Sequence, residues 1–308
     1  MIGAEPEPSA LTEAVCEACG RGAGDSWIEV PDREYAQVYR ARFVHCRDCG
    51  SAFQSPMPRP QQLASFYPSN YHSMQGEGLL ARMKNAQRVK RLASMIGDAD
   101  GPWLDYGCGK GQFVLYAAEH SPSRKYFGYE IADHNDVSES AGGAVTLVSG
   151  DFQFLLHALP PCRLITMNHV IEHLPDPAET LSQLREKLVP GGIFEGQTPA
   201  AGSLEHRVFG TRWSGYHAPR HTVVFSPDGL RKLLLRIGFT GVEVHGAFNP
   251  AGLAVSLASL IQRGPIGSIQ RKGASWLWWV GLGTLLSPLD LLSGAPGIMN
   301  FACRRPEA

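Results

Sequence analysis

The sequence predicts an α/β protein built on a mainly parallel sheet, and three observations support this prediction. First, residues 103–119 have the pattern of a buried strand, a glycine-rich turn and a helix, which opens a nucleotide-binding α/β fold. Second, further short apolar segments of strand character alternate with segments of helical periodicity. Third, 44% of the residues are hydrophobic and 19% are charged, as expected for a globular protein with a buried core.

The glycine-rich turn contains Asp105, Gly107, Gly109 and Gly111. Glycines let the backbone turn tightly and approach a ligand closely, and the helix that follows presents unpaired N–H groups to that ligand. The dinucleotide fingerprint G-x-G-x-x-G would need a glycine where this chain has Gln112. The carboxylate of Asp105 would repel a pyrophosphate, and it suits a ligand that has a cationic end.

This D-x-G-x-G-x-G pattern resembles motif I of the class I methyltransferases, which bind S-adenosylmethionine (SAM). The resemblance implies a seven-stranded Rossmann-like sheet of strand order 3-2-1-4-5-7-6, and methyl transfer by in-line displacement. Asp105 and the three glycines would then line the cofactor site. A glycine-rich turn without a ligand is the alternative interpretation of this motif alone.

The next two predicted strands each end at an acidic residue. Strand two, at 126–129, ends at Glu130, about 20 residues past the glycines, where a carboxylate can accept hydrogen bonds from both ribose hydroxyls. An acid at the start of a solvated helix is the alternative. After strand three, at 145–148, the methyltransferase resemblance implies that Asp151 binds the adenine amino group and that Phe152 packs against the ring.

The predicted fourth strand, at 164–167, is followed by an N-x-x-x-E-H loop. This loop is similar to that of small-molecule methyltransferases, including those of quinone biosynthesis. The resemblance places Asn168 and His169 beside the sulfonium end of SAM, and it places His173 near the substrate.

The remaining elements of this domain follow from apolar periodicity. A helix at 80–96 precedes the first strand, and helices at 178–188 and 227–237 separate the later strands. Strands five, six and seven are predicted at 193–198, 242–245 and 299–304.

A long connection follows the fifth strand and crosses the carboxyl ends of the sheet, where ligands bind in open α/β folds. Part of it resembles a G-x-x-W…P-x-H…F block of the same methyltransferase group, with the matching residues Gly210, Trp213, Pro219, His221 and Phe225. A hydroxyl or acidic carbon acceptor would need a general base, and the pKa of histidine suits that role. The candidate bases are His173, His217 and His221, although each could instead be a hydrogen-bonded structural residue.

Two C-x-x-C pairs lie near the N-terminus, Cys16 with Cys19 and Cys46 with Cys49, and a glycine follows each pair. Each pair can form a tight knuckle that points two thiolates at one ion, and two knuckles complete a tetrahedral shell. Because sulfur would fill all four positions, the predicted zinc is structural. Redox use of the cysteines is the alternative.

The segment after the cysteines extends the resemblance. A zinc ribbon followed by a P-x-P…L…Y…Y stretch is similar to the N-terminal part of bacterial methyltransferases that modify sugars, polysaccharides and other secondary metabolites. The matching residues are Pro58, Pro60, Leu63, Tyr67 and Tyr71. In that group the tyrosine segment covers the SAM pocket, which makes Tyr71 a candidate pocket residue, with core packing as the alternative.

These patterns divide the chain into a tail and zinc ribbon at 1–57, a linker and helical cap at 58–100, and a SAM-binding domain at 101–308. Within that domain, residues 253–293 form a hydrophobic insertion. Its segment 276–292 is short for a spanning helix and contains proline, aspartate and glycines. It predicts either an insertion packed on the body or a segment in peripheral contact with a membrane.

The predicted function is methyl transfer from SAM to a small-molecule, sugar, glycan or lipid-linked acceptor. An NAD-dependent oxidoreductase on a similar sheet and a zinc-ribbon module that binds nucleic acid are the alternatives. A formal net charge of -1 argues against nucleic acid as the partner. The N-terminal residues form no apolar signal segment, which predicts a cytoplasmic protein. The acceptor, the methylated atom and the oligomeric state cannot be predicted.

Overall fold

The computed structural model describes residues 15–22, 24, 26–67, 78–131, 134–261 and 274–307. Its strands are β1 (Trp27–Pro31), β2 (Arg40–His45), β3 (Ala52–Gln54), β4 (Trp103–Tyr106), β5 (Tyr126–Ile131), β6 (Asp136–Ser140), β7 (Val145–Gly150), β8 (Cys162–Asn168), β9 (Leu188–Pro199), β10 (Val223–Val224), β11 (Thr240–Gly246) and β12 (Ile298–Arg304). Its α-helices are α1 (Pro60–Ser65), α2 (Leu79–Ile96), α3 (Gln112–His120), α4 (Phe152–Ala158), α5 (Pro177–Lys187), α6 (Leu204–Phe209), α7 (Pro227–Arg236), α8 (Pro250–Ile261) and α9 (Ala274–Leu292).

The large sheet has the strand order β11-β12-β9-β8-β4-β5-β7-β6. Strands β9, β8, β4, β5 and β7 run parallel, whereas β12, β11 and β6 pair antiparallel with their neighbours. This mixed sheet confirms the predicted α/β, Rossmann-like class. The predicted count of seven strands is wrong for the described residues, because β6 adds an eighth strand at the edge. The exposed sequence of β6, DVSES, has no buried apolar face that would predict a strand.

Helices cover both faces of the large sheet because successive residues of a strand point to opposite sides. On one face, Trp103 and Leu164 pack with residues of α2 and α3. On the other, Leu104 and Ile165 belong to a larger core that includes residues of α5 and α7. The predicted helices of this domain are therefore present at the two faces, with boundaries that differ by a residue or two.

A second, small sheet joins the N-terminal region to the connection after β9. Its order is β1-β2-β3-β10, and β10 pairs antiparallel with β3 through Val223 opposite Phe53 and Val224 opposite Ala52. The cysteine-containing segment thus shares backbone hydrogen bonds with the methyltransferase-like region, and its strands come from both sides of the predicted boundaries at 57 and 100.

A buried ion pair fixes this junction further. The guanidinium of Arg220 donates to both carboxylate oxygens of Asp32, at 3.0 and 3.1 Å, and also to the carbonyl oxygens of Phe66 and Ala218, each at 3.2 Å. Both side chains of the ion pair are fully buried. A buried charge without a partner is costly, so the two residues stabilise the fold only while both are present.

The hydrophobic insertion forms a helical hairpin of α8 and α9. The helix α8 packs on the connection after β9, where the Ser214 N–H donates to Ser256 Oγ at 3.0 Å. Among the described residues, no helix has both the length and the apolar character needed to cross a bilayer.

We expect Asp32→Asn to lower the free energy of unfolding by about 3–5 kcal/mol, because it leaves the Arg220 guanidinium buried without a counter-charge. Chemical denaturation followed by circular dichroism measures the change. The control is Glu29→Gln, which removes a 3.8 Å pair with Arg42 at the surface and should cost less than about 1 kcal/mol. Equal losses in the two variants would contradict the role assigned to the buried pair.

Candidate active site

The turn between β4 and α3 depends on its glycines. Gly107, Gly109 and Gly111 have φ values of 76°, 56° and 71°, in the left-handed region that other residues rarely adopt. A Cβ atom on Gly107 would lie 2.3 Å from Val170 Cγ2. The turn therefore packs its backbone closely against the loop after β8.

Asp105, which closes β4, is already paired within the protein. Its Oδ1 accepts hydrogen bonds from Arg88 Nη2 at 2.8 Å and from Thr166 Oγ1 at 2.6 Å. The same guanidinium lies over the Phe113 ring, 3.6 Å from its centroid. Arg88 therefore balances the negative charge that the sequence places at this turn, and the sequence analysis did not predict this pairing.

Glu130 lies beside the glycine turn, at the end of β5. Its Oε2 accepts a hydrogen bond from the Gly109 N–H at 2.7 Å. Burial raises the pKa of this carboxyl, against the lowering effect of the Gly109 hydrogen bond. The contact follows from the parallel pairing of β4 with β5, which brings the two carboxyl ends to one edge of the sheet.

Asp151 and Phe152 follow β7 at the same edge. Asp151 is the N-cap of α4, and its Oδ1 accepts the Phe154 N–H at 2.7 Å. Its own N–H donates to Asn135 Oδ1 at 3.0 Å. Phe152 meets Tyr106 edge to face, with ring centroids 5.9 Å apart. The contact from Asn135 was missed because nothing in its local sequence marks it.

Asn168 and His169 follow β8. The buried Asn168 Nδ2 has no hydrogen-bond partner among the described residues, and an unpaired buried donor needs an explanation such as a ligand. His169 has a φ of 53°, and its ring nitrogens lie 3.3 Å from Glu172 Oε1 and 3.1 Å from Gln197 Oε1. Its ring is therefore fixed by two neighbours. The candidate Tyr71 lies outside the described residues.

The three predicted histidine bases lie together. The ring centroid of His173 is 4.5 Å from that of His221 and 6.1 Å from that of His217, and the rings of His217 and His221 are 4.9 Å apart. Two of these residues come from the connection after β9 and one from the loop after β8. The structure thus brings distant parts of the chain into one cluster.

Hydrogen bonds fix the orientation of two of these imidazoles. His173 Nδ1 lies 3.1 Å from the carbonyl oxygen of Arg220 and 2.9 Å from the hydroxyl of Tyr67, and His221 Nδ1 lies 2.8 Å from the Gly215 carbonyl oxygen. A carbonyl only accepts, so each of these Nδ1 atoms carries a hydrogen and the lone pair is on Nε2. Burial lowers the pKa of His173 to about 4 and holds the pKa of His221 well below its usual value.

Glu172 is a fully buried carboxylate beside the histidines. Its Oε2 accepts a hydrogen bond from Thr198 Oγ1 at 2.9 Å, and its Oε1 lies 3.3 Å from His169 Nδ1 and 3.9 Å from His221 Nε2. Burial raises the pKa of Glu172, but the hydrogen bond and charge of His169 and the charge of His173 outweigh it and hold the pKa below normal. Glu172 lies within the N-x-x-x-E-H loop, although its role was not predicted.

Glu34 comes from the N-terminal region, and the sequence analysis missed it because no motif surrounds it. Its Oε2 lies 2.8 Å from His217 Nε2. Burial raises the pKa of Glu34, but the charge and hydrogen bond of His217 outweigh it and lower the pKa to about 2. Glu34 is therefore ionised, and it orients the His217 ring.

Two sets of described residues have the spacing of metal ligands. In the first, Cys16 Sγ lies 3.7 Å from Cys49 Sγ, and Cys19 Sγ lies 3.6 Å from Cys46 Sγ. Tetrahedral zinc with Zn–S bonds of about 2.3 Å would place its sulfurs about 3.8 Å apart, so this cluster fits the ion. The second set consists of Glu172, His173 and His221, whose donor atoms lie within 4.8 Å of one another.

Comparison with known proteins identifies the class. Residues 79–244, more than half of the chain, match a family model described as a methyltransferase domain. The chain belongs to this methyltransferase family, and it is a SAM-dependent methyltransferase. A curated relative, the ubiquinone biosynthesis O-methyltransferase of Cereibacter sphaeroides (strain KD131 / KCTC 12085), is 27% identical over 168 residues, which cover 51% of this chain and 67% of the relative.

Solved structures of methyltransferases also match. Phosphoethanolamine N-methyltransferase 2 of Haemonchus contortus, in complex with SAM, matches with a TM-score of 0.47 and 14% identity, over 71% of this chain and 52% of that one. This chain therefore spans about half the length of that enzyme. A SAM-dependent methyltransferase of Archaeoglobus fulgidus matches with a TM-score of 0.46 and 19% identity, over 73% and 94% of the two chains.

The buried histidines should make the protein less stable in mild acid. His206, next to the cluster, accepts the Gly202 N–H at Nδ1 (3.0 Å), its Nε2 lies 2.7 Å from the Tyr216 hydroxyl, and burial lowers its pKa to about 4. Between the unfolded pKa of about 6.5 and this folded value, the unfolded chain binds more protons, so stability falls as pH falls. We expect His206 alone to contribute about 1–2 kcal/mol of the loss from pH 7 to pH 5.

Urea denaturation at a series of pH values measures this loss. His206→Gln should reduce the pH dependence of the free energy of unfolding, whereas His245→Gln, at an exposed histidine, should leave it unchanged. A His206→Gln variant with the full pH dependence of the original protein would contradict the assignment.

Proposed function

We propose that this protein transfers a methyl group from SAM to a hydroxyl or acidic carbon of a small-molecule, sugar, glycan or lipid-linked acceptor, with His173 as the general base. The observation that carries the proposal is the cluster of His173, His217 and His221. His173 lies in the loop that follows β8, and this loop starts at the same edge of the sheet as the glycine turn. The curated relative named for O-methylation supports a hydroxyl as the acceptor group.

The residues at the sheet edge fit SAM in kind and position. In the proposed site, Glu130 accepts hydrogen bonds from the ribose hydroxyls, Asp151 accepts one from the adenine amino group, and Phe152 packs against the adenine. The unpaired Nδ2 of Asn168 supports a ligand contact at this point. When bound, SAM supplies a methyl group on a sulfonium, which is a good leaving group.

The other proposed cofactor contacts surround the methionine end. Gly107, Gly109 and Gly111 allow the ligand to approach the backbone, and His169 is held beside this end by Glu172 and Gln197. Asp105 contributes negative potential there, reduced by its pair with Arg88. Tyr71 remains a proposed pocket residue on the sequence resemblance.

His173 has the properties that a base needs before the reaction. Its low pKa keeps the ring neutral at working pH, and the Arg220 carbonyl holds the hydrogen on Nδ1. Nε2 can then take the proton of the acceptor hydroxyl while the acceptor oxygen bonds to the methyl carbon and the carbon–sulfur electron pair stays with sulfur. The enclosed cluster also holds the acceptor in line and limits the access of water.

The other two histidine candidates are assigned supporting roles. His221 is almost fully buried and packs edge-on against His173, so we assign it to positioning the base. His217 and the ionised Glu34 form a pair that can bind a hydroxyl of the acceptor. The loss of kcat and the change of KM, measured for an alanine variant of each of the three histidines, would test this assignment of roles.

The four cysteines are proposed to bind a structural zinc ion. Sulfur would complete its tetrahedral shell, so no position remains for catalysis. We propose that the ribbon at 1–57 and the cap at 58–100 act together with the domain at 101–308, since Glu34 and Tyr67 contact the histidines. Membership in a methyltransferase family favours methyl transfer over the chemistry of an NAD-dependent oxidoreductase.

We expect Glu130→Ala to weaken SAM binding by at least about 30-fold, because two hydrogen bonds to a charged acceptor are lost. Isothermal titration calorimetry measures the affinity, and the zinc content of the variant should stay unchanged. Glu139→Ala, at an exposed carboxylate of β6, is the matched control. Unchanged SAM affinity in Glu130→Ala would exclude the ribose assignment.

We expect His173→Ala to lower kcat by about 10²–10⁴-fold while SAM affinity stays the same, as for loss of a general base. Since the pKa of His173 is about 4, kcat/KM of the original enzyme should be flat between about pH 5 and pH 8 and fall as the ring is protonated near pH 4.

The acceptor for these assays comes from incubating the enzyme with methyl-deuterated SAM and fractionated cell extract, followed by mass spectrometry. His245→Ala is the control, because this histidine is exposed and remote from the cluster. A His173→Ala enzyme of near-normal kcat, with a large loss in His217→Ala instead, would transfer the role of base to His217.

A further inference from the structure

The helix α9 buries small and polar residues and exposes several large apolar residues, while Trp279 and Leu286 pack partly against the body. Gly283, Ser287 and Asp290 are buried. The exposed side of the helix follows a helical repeat along its length, and its exposed fractions are 71% for Leu277, 70% for Trp278, 73% for Leu285, 61% for Leu289 and 84% for Leu292. A helix on the surface of a protein in water has the opposite arrangement.

The inward side is small because the two helices of the hairpin are close together. A Cβ atom on Gly283 would lie 2.2 Å from the Pro250 carbonyl oxygen of α8. The helix α8 shares part of this pattern, since Ser256 and Ser259 are buried and Ile261 is 72% exposed, although Leu253 is buried as well. Small residues between helices and large apolar residues facing outward are typical of helices surrounded by lipid.

The two described helices of the hairpin also expose no charge. In residues 250–261 and 274–292, Asp290 is the single ionisable residue, and it is buried with Oδ2 accepting the Gly297 N–H at 2.9 Å. A protein partner would more often meet a polar rim around an apolar centre. The exposed Trp278 adds an amphipathic ring of the kind enriched at the level of lipid headgroups.

We propose that the outer face of the α8–α9 hairpin is a membrane-docking surface, defined by Ile261, Leu277, Trp278, Leu285, Leu289 and Leu292. Because no described helix is long and apolar enough to cross a bilayer, the hairpin lies on the membrane with its outer face among the headgroups and upper acyl chains. Of the two interpretations that the sequence left open, a packed insertion and a membrane contact, this proposal takes the second.

The same hairpin also reaches the candidate active site. Val255 of α8 lines the same pocket as Glu34 and His217. If the proposed function holds, the membrane-bound enzyme would face an acceptor whose lipid part remains in the bilayer while its polar group enters this pocket. Membrane binding itself requires neither SAM nor an acceptor, so it can be tested separately from catalysis.

The test is flotation of the full-length protein with vesicles of phosphatidylcholine and with vesicles of equal parts phosphatidylcholine and phosphatidylglycerol, in the absence of SAM. We expect the protein to float with both, and its tryptophan emission to shift to shorter wavelength. The double variant Leu285→Gln/Leu289→Gln should reduce the vesicle-bound fraction at least about tenfold, because two apolar side chains no longer enter the bilayer.

The matched control is Val38→Gln/Leu235→Gln, which replaces two exposed apolar residues outside the hairpin and should bind vesicles as the original protein does. Circular dichroism should give the same thermal transition for both variants, since all four positions are exposed. Equal vesicle binding by the two variants would overturn the proposal. So would a lipid-free dimer that only the hairpin variant dissociates, together with no flotation, because a second copy would then cover this face.

Discussion

The parallel pairing of β4 with β5 on one side and β8 on the other is the constraint on which the candidate site depends. It aligns Asp105 with Gly128 and with Thr166 across the two ladders. The hydroxyl of Thr166 therefore reaches the Asp105 carboxylate, and the end of β5 brings Glu130 to the Gly109 N–H. A shift of one residue in either ladder would turn these side chains to the opposite face of the sheet.

The N-terminal region completes the site from the other side. Because β10 joins the small sheet next to β3, the connection after β9 is held against the ribbon, and Arg220 is buried on Asp32. Glu34 lies two residues after Asp32 in the chain, and it contacts His217 close to where Asp32 contacts Arg220. The ribbon thus supplies a charge to the histidine cluster as well as a cluster of cysteines, and the two parts of the site depend on one interface.

The sequence predicted the parts of this arrangement that have local signals. The glycine turn, the acid after β5 and the two cysteine knuckles each follow from short patterns, and the described strands include a segment at every predicted strand. The pairing of Arg88 with Asp105 joins two consecutive elements, and that of Glu34 with His217 joins residues far apart in the chain; no local pattern predicts either pairing.

One boundary shows a different limit of local patterns. The sequence predicted that strand five begins at 193, but β9 begins at Leu188 and continues through Pro190 and the two glycines after it. The ladder with β8 shifts register between Leu188 and Ile193. At such an irregularity the missing N–H of proline costs no ladder hydrogen bond, so proline is tolerated inside the strand.

A buried polar contact between α6 and α9 helps to attach the hairpin to the rest of the protein. Glu205, on α6, and Asp290, on α9, face each other in a buried site, and burial together with the charge of Asp290 raises the pKa of Glu205 to about 8. Glu205 is therefore mainly protonated at neutral pH, and the Gly297 N–H donates a hydrogen bond to Asp290 Oδ2 at 2.9 Å. Polar contacts of this kind, together with the partly buried Trp279 and Leu286, hold the inner face of α9 against the body.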